Sequence, residues 1–156
     1  LGAIKLPLPV GELRPSAPSG ATFDGRFRLM GYDSVAARPG EAAQLALYWE
    51  AIAPDGRDYT VFVHLLDESG ALVAQADGAP RGGAYPTSIW AAGEKLRDER
   101  AILLPPGLAP GRYAVLVGMY DPASGARLPA HAADGSRYAD DAAVLTTLEV
   151  PPAAEE

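Results

Sequence analysis

Apolar and polar residues alternate with a period of two through most of this chain, the mark of strands with one buried face. Between residues 44 and 50, Leu45, Leu47 and Trp49 fall on one side, and Gln44, Ala46, Tyr48 and Glu50 on the other. Residues 26–35 set Phe27, Leu29 and Gly31 against Arg28, Met30 and Tyr32. Residues 71–76 set Leu72, Ala74 and Ala76 against Val73 and Gln75; residues 94–104 set Ile102 and Leu104 against Ala101 and Leu103. Residues 142–150 predict a last strand, with Val144, Thr146, Leu148 and Val150 opposed to Leu145, Thr147 and Glu149. The run from 59 to 66 differs. It is apolar on both sides: Tyr59, Val61, Val63 and Leu65 against Phe62, His64 and Leu66. Such a strand is central, or a loop covers one of its faces.

Turn chemistry separates these runs. Arg38-Pro-Gly-Glu41, Pro54-Asp-Gly-Arg-Asp58, Asp67-Glu-Ser-Gly70 and Asp121-Pro-Ala-Ser-Gly125 each combine residues that favour tight turns. No stretch carries a helical period. The segment Leu108-Ala-Pro110-Gly111-Arg-Tyr113 adds a topological signal. A Tyr at the start of a late strand, just after such a turn, can send its hydroxyl back to an upstream carbonyl and pin a crossover between two sheets. Together these features predict an all-β Greek-key β-sandwich, Ig-like or carbohydrate-module-like in shape, with about seven to nine strands. Residues 1–22, broken by Pro7, Pro9, Pro15 and Pro18, read as a Pro-rich linker, part of which can lie along the sandwich edge. Residues 23–150 read as the sandwich and 151–156 as a tail.

Composition fits this picture. The 156 residues include 17 Gly and 15 Pro, high for a helical protein and natural for short strands joined by turns. The net charge of −7 comes without any Lys/Arg cluster, which argues against nucleic acid and anionic membrane surfaces as partners. There is no Cys, so disulfides and thiolate metal sites are excluded. No apolar run approaches the length of a membrane helix, so no membrane insertion by this segment is expected. The chain opens at Leu1, and targeting or membrane information is expected upstream of it.

Several phrases together resemble one family: Leu47-Tyr-Trp49, Tyr59-Thr-Val-Phe-Val-His-Leu-Leu-Asp67, Asp77-Gly-Ala-Pro80, Tyr85-Pro-Thr-Ser-Ile-Trp90 with Gly93-Glu94, and Pro110-Gly-Arg-Tyr113 through Val117-Gly-Met-Tyr-Asp121 with Arg127-Leu-Pro129. The family is the uncharacterised C-terminal β-sandwich domain of bacterial, Chloroflexi-type membrane proteins similar to dolichyl-phosphate-mannose-dependent mannosyltransferases. The resemblance spans roughly residues 23–150. It implies a non-catalytic, extracytoplasmic accessory domain, tethered to the membrane through an upstream region, whose partners are a glycan or the parent membrane domain. It implies no catalytic residue.

Candidate chemistry concentrates in the long irregular segment 77–93. Tyr85 and Trp90 could stack on sugar rings, with Asp77, Arg81 and Thr87 bonding hydroxyls; alternatively Trp90 folds back and plugs the core, where a large ring recovers several kcal/mol. His64 has one other His in the chain for company, so a half-buried His bonded to a loop is expected rather than a metal site. Asp134, Asp140 and Asp141 are oxygen donors on a loop and form a Ca²⁺ candidate, without the spacing or terminal Glu of an EF-hand; a solvated acidic loop is the alternative. No nucleophile elbow, phosphate loop or metal-spaced His pair is present, and no cofactor is implied. Glu50, Glu94, Asp98 and Glu99 read as strand-edge or turn charges rather than paired catalytic carboxylates. Two readings follow: a glycan-touching accessory domain of a glycosyltransferase-like membrane protein, or a structural or protein-interaction sandwich with no small-molecule ligand.

Overall fold

The computed structural model describes residues 13–152, and within them two antiparallel sheets face each other across one apolar layer. The strands are β1 Ala17–Phe23, β2 Phe27–Val35, β3 Ala42–Ala51, β4 Thr60–Leu66, β5 Leu72–Gln75, β6 Lys95–Leu103, β7 Gly111–Tyr120, β8 Ala130–His131 and β9 Ala143–Val150. One sheet has the order β6-β3-β2-β1-β8, the other β5-β4-β7-β9. The chain crosses between sheets after β3, β5, β6, β7 and β8, the Greek-key pattern that the turn spacing predicts. Among the described residues, short 3₁₀ segments at Pro80–Gly83, Thr87–Ile89 and Ala139–Asp141 interrupt the connections, the first and last broken by residues of positive φ.

The inward positions of the alternating runs fill the core: Phe27 and Leu29 from β2, Leu45, Leu47 and Trp49 from β3, Val61, Val63 and Leu65 from β4, and Val115, Val117 and Met119 from β7. Phe23 meets Trp49 edge-on at 5.6 Å between ring centres, a favoured geometry for aromatic pairs. The Tyr113 hydroxyl donates to the Ala109 carbonyl, so the tyrosine corner forms where the sequence places it.

The structure departs from the sequence reading at three points. The sandwich begins at Ala17, not Phe23: β1 lies between β2 and β8, inside what reads as linker. Pro18 is tolerated there because the β1–β2 register shifts between Pro18 and Ala21. The rest of the expected linker, residues 1–12, and positions 153–156 of the expected tail lie outside the described residues.

The second departure is a bulge in β2. Leu29 pairs with Trp49 and Gly31 with Tyr48, leaving Met30 as the extra residue. One inserted residue exchanges the two faces beyond it. Tyr32 therefore turns inward and donates to the Leu145 carbonyl at 2.9 Å, while Asp33 turns outward and accepts from the Tyr48 hydroxyl. Gly31 faces outward under Pro15 and Ala17, where an added Cβ would sit 2.2 Å from the Ala17 carbonyl oxygen. The same device acts in β9. Thr146 pairs with Val115 and Val144 with Leu116, so Leu145 is the extra residue. Val144, which the alternation sets on one face with Leu148 and Val150, is 55% exposed while those two are buried, and Leu145 packs on the core instead.

The third departure is Asp98. It is buried, not a strand-edge charge, and pairs with Arg100 two positions along β6. The Arg100 guanidinium also donates to the carbonyls of Val61, Ala76 and Gly78, and Asp98 accepts from the Arg81 backbone N–H at 2.8 Å. This pair closes the open side of the sandwich between β6 of one sheet and β4–β5 of the other.

Candidate functional site

The long connection between β5 and β6 folds onto the core, so the aromatic platform expected there does not form. Trp90 is 4% exposed and Tyr85 7%. The Trp90 ring meets Phe27 edge-on at 5.4 Å and its Nε1–H donates to the Tyr85 carbonyl at 2.9 Å. The Tyr85 hydroxyl donates to Glu94. Thr87 is fully buried: its hydroxyl donates to the Arg57 carbonyl and accepts from the Tyr59 N–H. Burial of two large rings outweighs exposing them to solvent. Arg81 stays on the surface at φ 54°, its N–H tied to Asp98. Tyr85, Trp90 and Thr87 are thus plug residues, and the sugar-stacking role expected of them is corrected.

The three Asp residues of the acidic loop do not converge either. The Asp134 carboxylate caps its own turn, accepting from the Ser136 hydroxyl and N–H, and these bonds hold its carboxyl below the usual range. Asp141 forms a forked pair with Arg137, which holds its carboxyl low in the same way, and it also accepts from the Ala130 N–H. Asp140 contributes its backbone carbonyl to Arg127. Among the described residues no group of three His, Cys, Asp or Glu side chains is placed to hold a metal ion. The Ca²⁺ reading of Asp134, Asp140 and Asp141 therefore gives way to a turn held together by its own hydrogen bonds.

Only Asp77, of the candidate residues in the loop, reaches a site, and the site lies on the outer face of the four-stranded sheet. There the outward residues of β4, β5 and β7 meet the return of the 121–125 turn. A cleft of about 300 Å³ is lined by Phe62, His64, Gln75, Asp77, Tyr120 and Arg127. Cross-strand register brings them together: His64 pairs with Gln75, Thr60 with Tyr120, and Tyr120 with Arg127.

Phe62 forms the floor. An outward Phe on a two-layer sandwich would normally meet water, yet this ring is 1% exposed. It lies across Gly118, its partner in the β4–β7 register, where any Cβ would come within 2.2 Å of the ring. The Arg127 guanidinium covers it from above at 4.3 Å from the ring centre, a cation–π contact, and Arg127 Nη1 donates to the Asp140 carbonyl at 2.9 Å. His64 tilts against Phe62 at 4.7 Å, and Tyr120 stacks at 6.4 Å. The apolar outer face of the fourth strand, legible in the sequence, is thus the floor of a cleft.

The walls are polar. Asp77 accepts from the Val63 N–H, which fixes its carboxylate 3.6 Å from His64 Nε2. Burial holds the His64 imidazole below its ordinary pKa, against the Asp77 carboxylate, which pulls it up, while Arg127 adds to the depression. Burial wins, so near neutral pH His64 is uncharged and its contact with Asp77 is not an ion pair. The cleft then holds one carboxylate, one guanidinium, a neutral imidazole, a carboxamide and a phenol around an aromatic floor. Such a set donates to and accepts from several hydroxyls while offering ring surface. Sequence reasoning finds Asp77 and notices His64, but sets His64 aside and misses Gln75, Tyr120 and Arg127. The signal that could have found them is the doubly apolar run of residues 59–66, followed outward along the strand order.

No protein-family model matches the chain, and no curated protein sequence matches it. Solved structures do. The C-terminal domain of Wzt superposes with a TM-score of 0.56 at 12% identity, covering 92% of each chain, and so shares this fold. A β-glucuronidase from glycoside hydrolase family 2 matches with a TM-score of 0.45 at 15% identity over 65% of this chain. The chain spans about a tenth of that enzyme, covering 10% of its length.

Proposed function

We propose that this sandwich is a non-catalytic glycan-binding domain, with its ligand in the outer-face cleft of β4, β5 and β7. The observation that carries the reading is the aromatic floor and polar rim assembled from Phe62, His64, Gln75, Asp77, Tyr120 and Arg127. Saccharides present alternating hydroxyl edges and weakly apolar C–H faces, and a cleft that recognises them needs both kinds of surface. Tyr120 supplies the ring face at the edge of the floor; Asp77, His64 and Gln75 supply acceptors and donors for hydroxyls. A binding role fits the cleft better than hydrolysis. It holds a single carboxylate, whereas glycoside hydrolysis ordinarily draws on two flanking the scissile bond. Its lining also has no Ser, Thr or Cys beside His64 to serve as a nucleophile.

The setting is an extracytoplasmic accessory domain of a membrane glycosyltransferase-like protein, as the family resemblance implies. A glycan array probed with the isolated domain tests the ligand class. Binding that is lost in Tyr120→Ala and kept in Trp90→Phe would support the cleft. A blank array would favour the second reading, a protein-interaction sandwich, which has its own observation: Val35 and Leu103 stand 62% and 67% exposed on the other sheet. A gene whose sequence upstream of Leu1 lacks a multi-span hydrophobic region would overturn the membrane setting.

A further inference from the structure

Arg127 is the one permanent cation among the described residues lining the cleft, and it forms no ion pair with any of them. Its known contacts are the Phe62 ring beneath and the Asp140 carbonyl on Nη1. Six arginines, Arg26, Arg28, Arg97, Arg100, Arg112 and Arg137, stand within 4 Å of a carboxylate; among the described ion pairs Arg127 has none, and what sets it apart is that it lies over a buried ring at the mouth of a cleft. The contact with the Phe62 ring and the hydrogen bond to the Asp140 carbonyl hold the guanidinium over the cleft floor. Among the described residues, no acceptor takes up the N–H groups of Nε and Nη2. A guanidinium held this way is pre-organised for a forked contact to an anion.

We infer that the saccharide bound in this cleft is anionic, with its charged substituent on Arg127 and its hydroxyls toward Asp77 and His64. The inference rests on the glycan reading above and specifies the ligand within it. The cleft is bipolar rather than basic. Asp77 occupies the opposite wall, and the chain as a whole carries −7, so densely charged polyanions are disfavoured. The fitting ligand has an isolated negative group, carboxylate or sulfate, on an otherwise hydroxylated ring. His64, neutral and next to Asp77, adds no second cation that would favour a doubly charged group.

The test uses three matched probes: a galacturonate trisaccharide, its carboxyl-reduced neutral counterpart, and an O-sulfated form of that neutral trisaccharide. Titration of the domain should show one or both charged probes binding at least tenfold more tightly than the neutral one; the two charged arms tell carboxylate from sulfate. Raising salt should weaken the charged probe and leave the neutral one unmoved. Arg127→Gln should bring the ratio close to one. Arg127→Lys, which keeps the charge and covers Phe62 with its aliphatic stem, should retain part of it, and it stands in if the Gln variant fails to fold. Equal or tighter binding of the neutral probe, lost in Tyr120→Ala, would overturn the charge inference and leave the glycan reading standing. Silence from all three would also overturn it, and a blank glycan array would then take the glycan reading down as well.

Discussion

The Phe62 ring occupies the space above Gly118, the residue directly opposite it in the β4–β7 register. The glycine is there for space, since its φ is not positive: a Cβ would fall 2.2 Å from Phe62 Cζ and 2.9 Å from the Asp141 carbonyl oxygen. Gly118→Ala should therefore displace the ring, at a cost of about 1–3 kcal/mol for an overpacked site. It should also deform the cleft floor and move Arg127 with it. Urea denaturation reads the first effect, and the amide shifts of His64 and Tyr120 read the second. In Gly118→Ala combined with Phe62→Ala, the loss relative to Phe62→Ala alone should shrink to what the contact with the Asp141 carbonyl still imposes. Full additivity would mean that the ring and the glycine are not in conflict.

Trp49 and Trp90 are the two tryptophans, and both are buried. Their fluorescence in the folded domain should resist acrylamide and iodide and become quenchable on unfolding. Trp90→Ala should destabilise the domain by about 3–5 kcal/mol, the usual cost of emptying a large aromatic site. Glycan binding should survive in proportion to the folded fraction. A Trp90→Ala variant of unchanged stability that loses binding would restore the loop platform and sink the outer-face cleft.

The strands and their packing were largely legible because burial of one face writes itself as a period of two, and the Pro110-Gly111-Arg112-Tyr113 turn marks the crossover. Bulges were not. Met30 and Leu145 look like ordinary members of an alternation, and only the partner strand shows that each is an extra residue. The cleft was half legible for a related reason. Phe62 and His64 announce an apolar outer face, but Tyr120, Gln75 and Arg127 join them through strand order and cross-strand register, which connect residues far apart in the chain. The loop aromatics misled because a ring in an irregular segment looks the same in sequence whether it faces water or plugs the core; the bond from Trp90 to the Tyr85 carbonyl decides between them.

Asp98 and Arg100 form the only pair among the described ion pairs in which both side chains are nearly inaccessible, 1% and 6% exposed. Removing one partner leaves the other charged and buried, which costs about 3–5 kcal/mol. Arg100→Met also strips donors from the carbonyls of Val61, Ala76 and Gly78, and so should be the worse of the two single changes. Asp98→Asn keeps one acceptor for the Arg81 N–H and should cost less. The Asp98→Asn/Arg100→Met double variant should be markedly more stable than the sum of the two losses predicts. A double-mutant cycle in urea measures that coupling, and additive losses would show that the two groups act independently.

His64 should make the native state weaker as the pH falls. Its folded pKa is lowered, so between that value and the ordinary imidazole value of about 6.5 the unfolded chain binds a proton that the native cleft refuses. Stability is therefore fully present above the ordinary value, declines as the pH drops through the interval, and levels off below the folded pKa. The groups facing the ring are Phe62 beneath, Asp77 at 3.6 Å, which favours protonation, and Arg127, which opposes it. His64→Gln removes the titration and keeps a polar side chain, so the stability difference between wild type and variant cancels the carboxylates common to both. Measured by urea denaturation from pH 7.5 to 5, that difference should shift against the wild type, over about the interval set by the imidazole. A shift in the opposite sense would mean that the Asp77 carboxylate outweighs burial and that the pair is ionic. The cleft would then carry a second cation beside Arg127, and its preference among anionic saccharides would sharpen in acid.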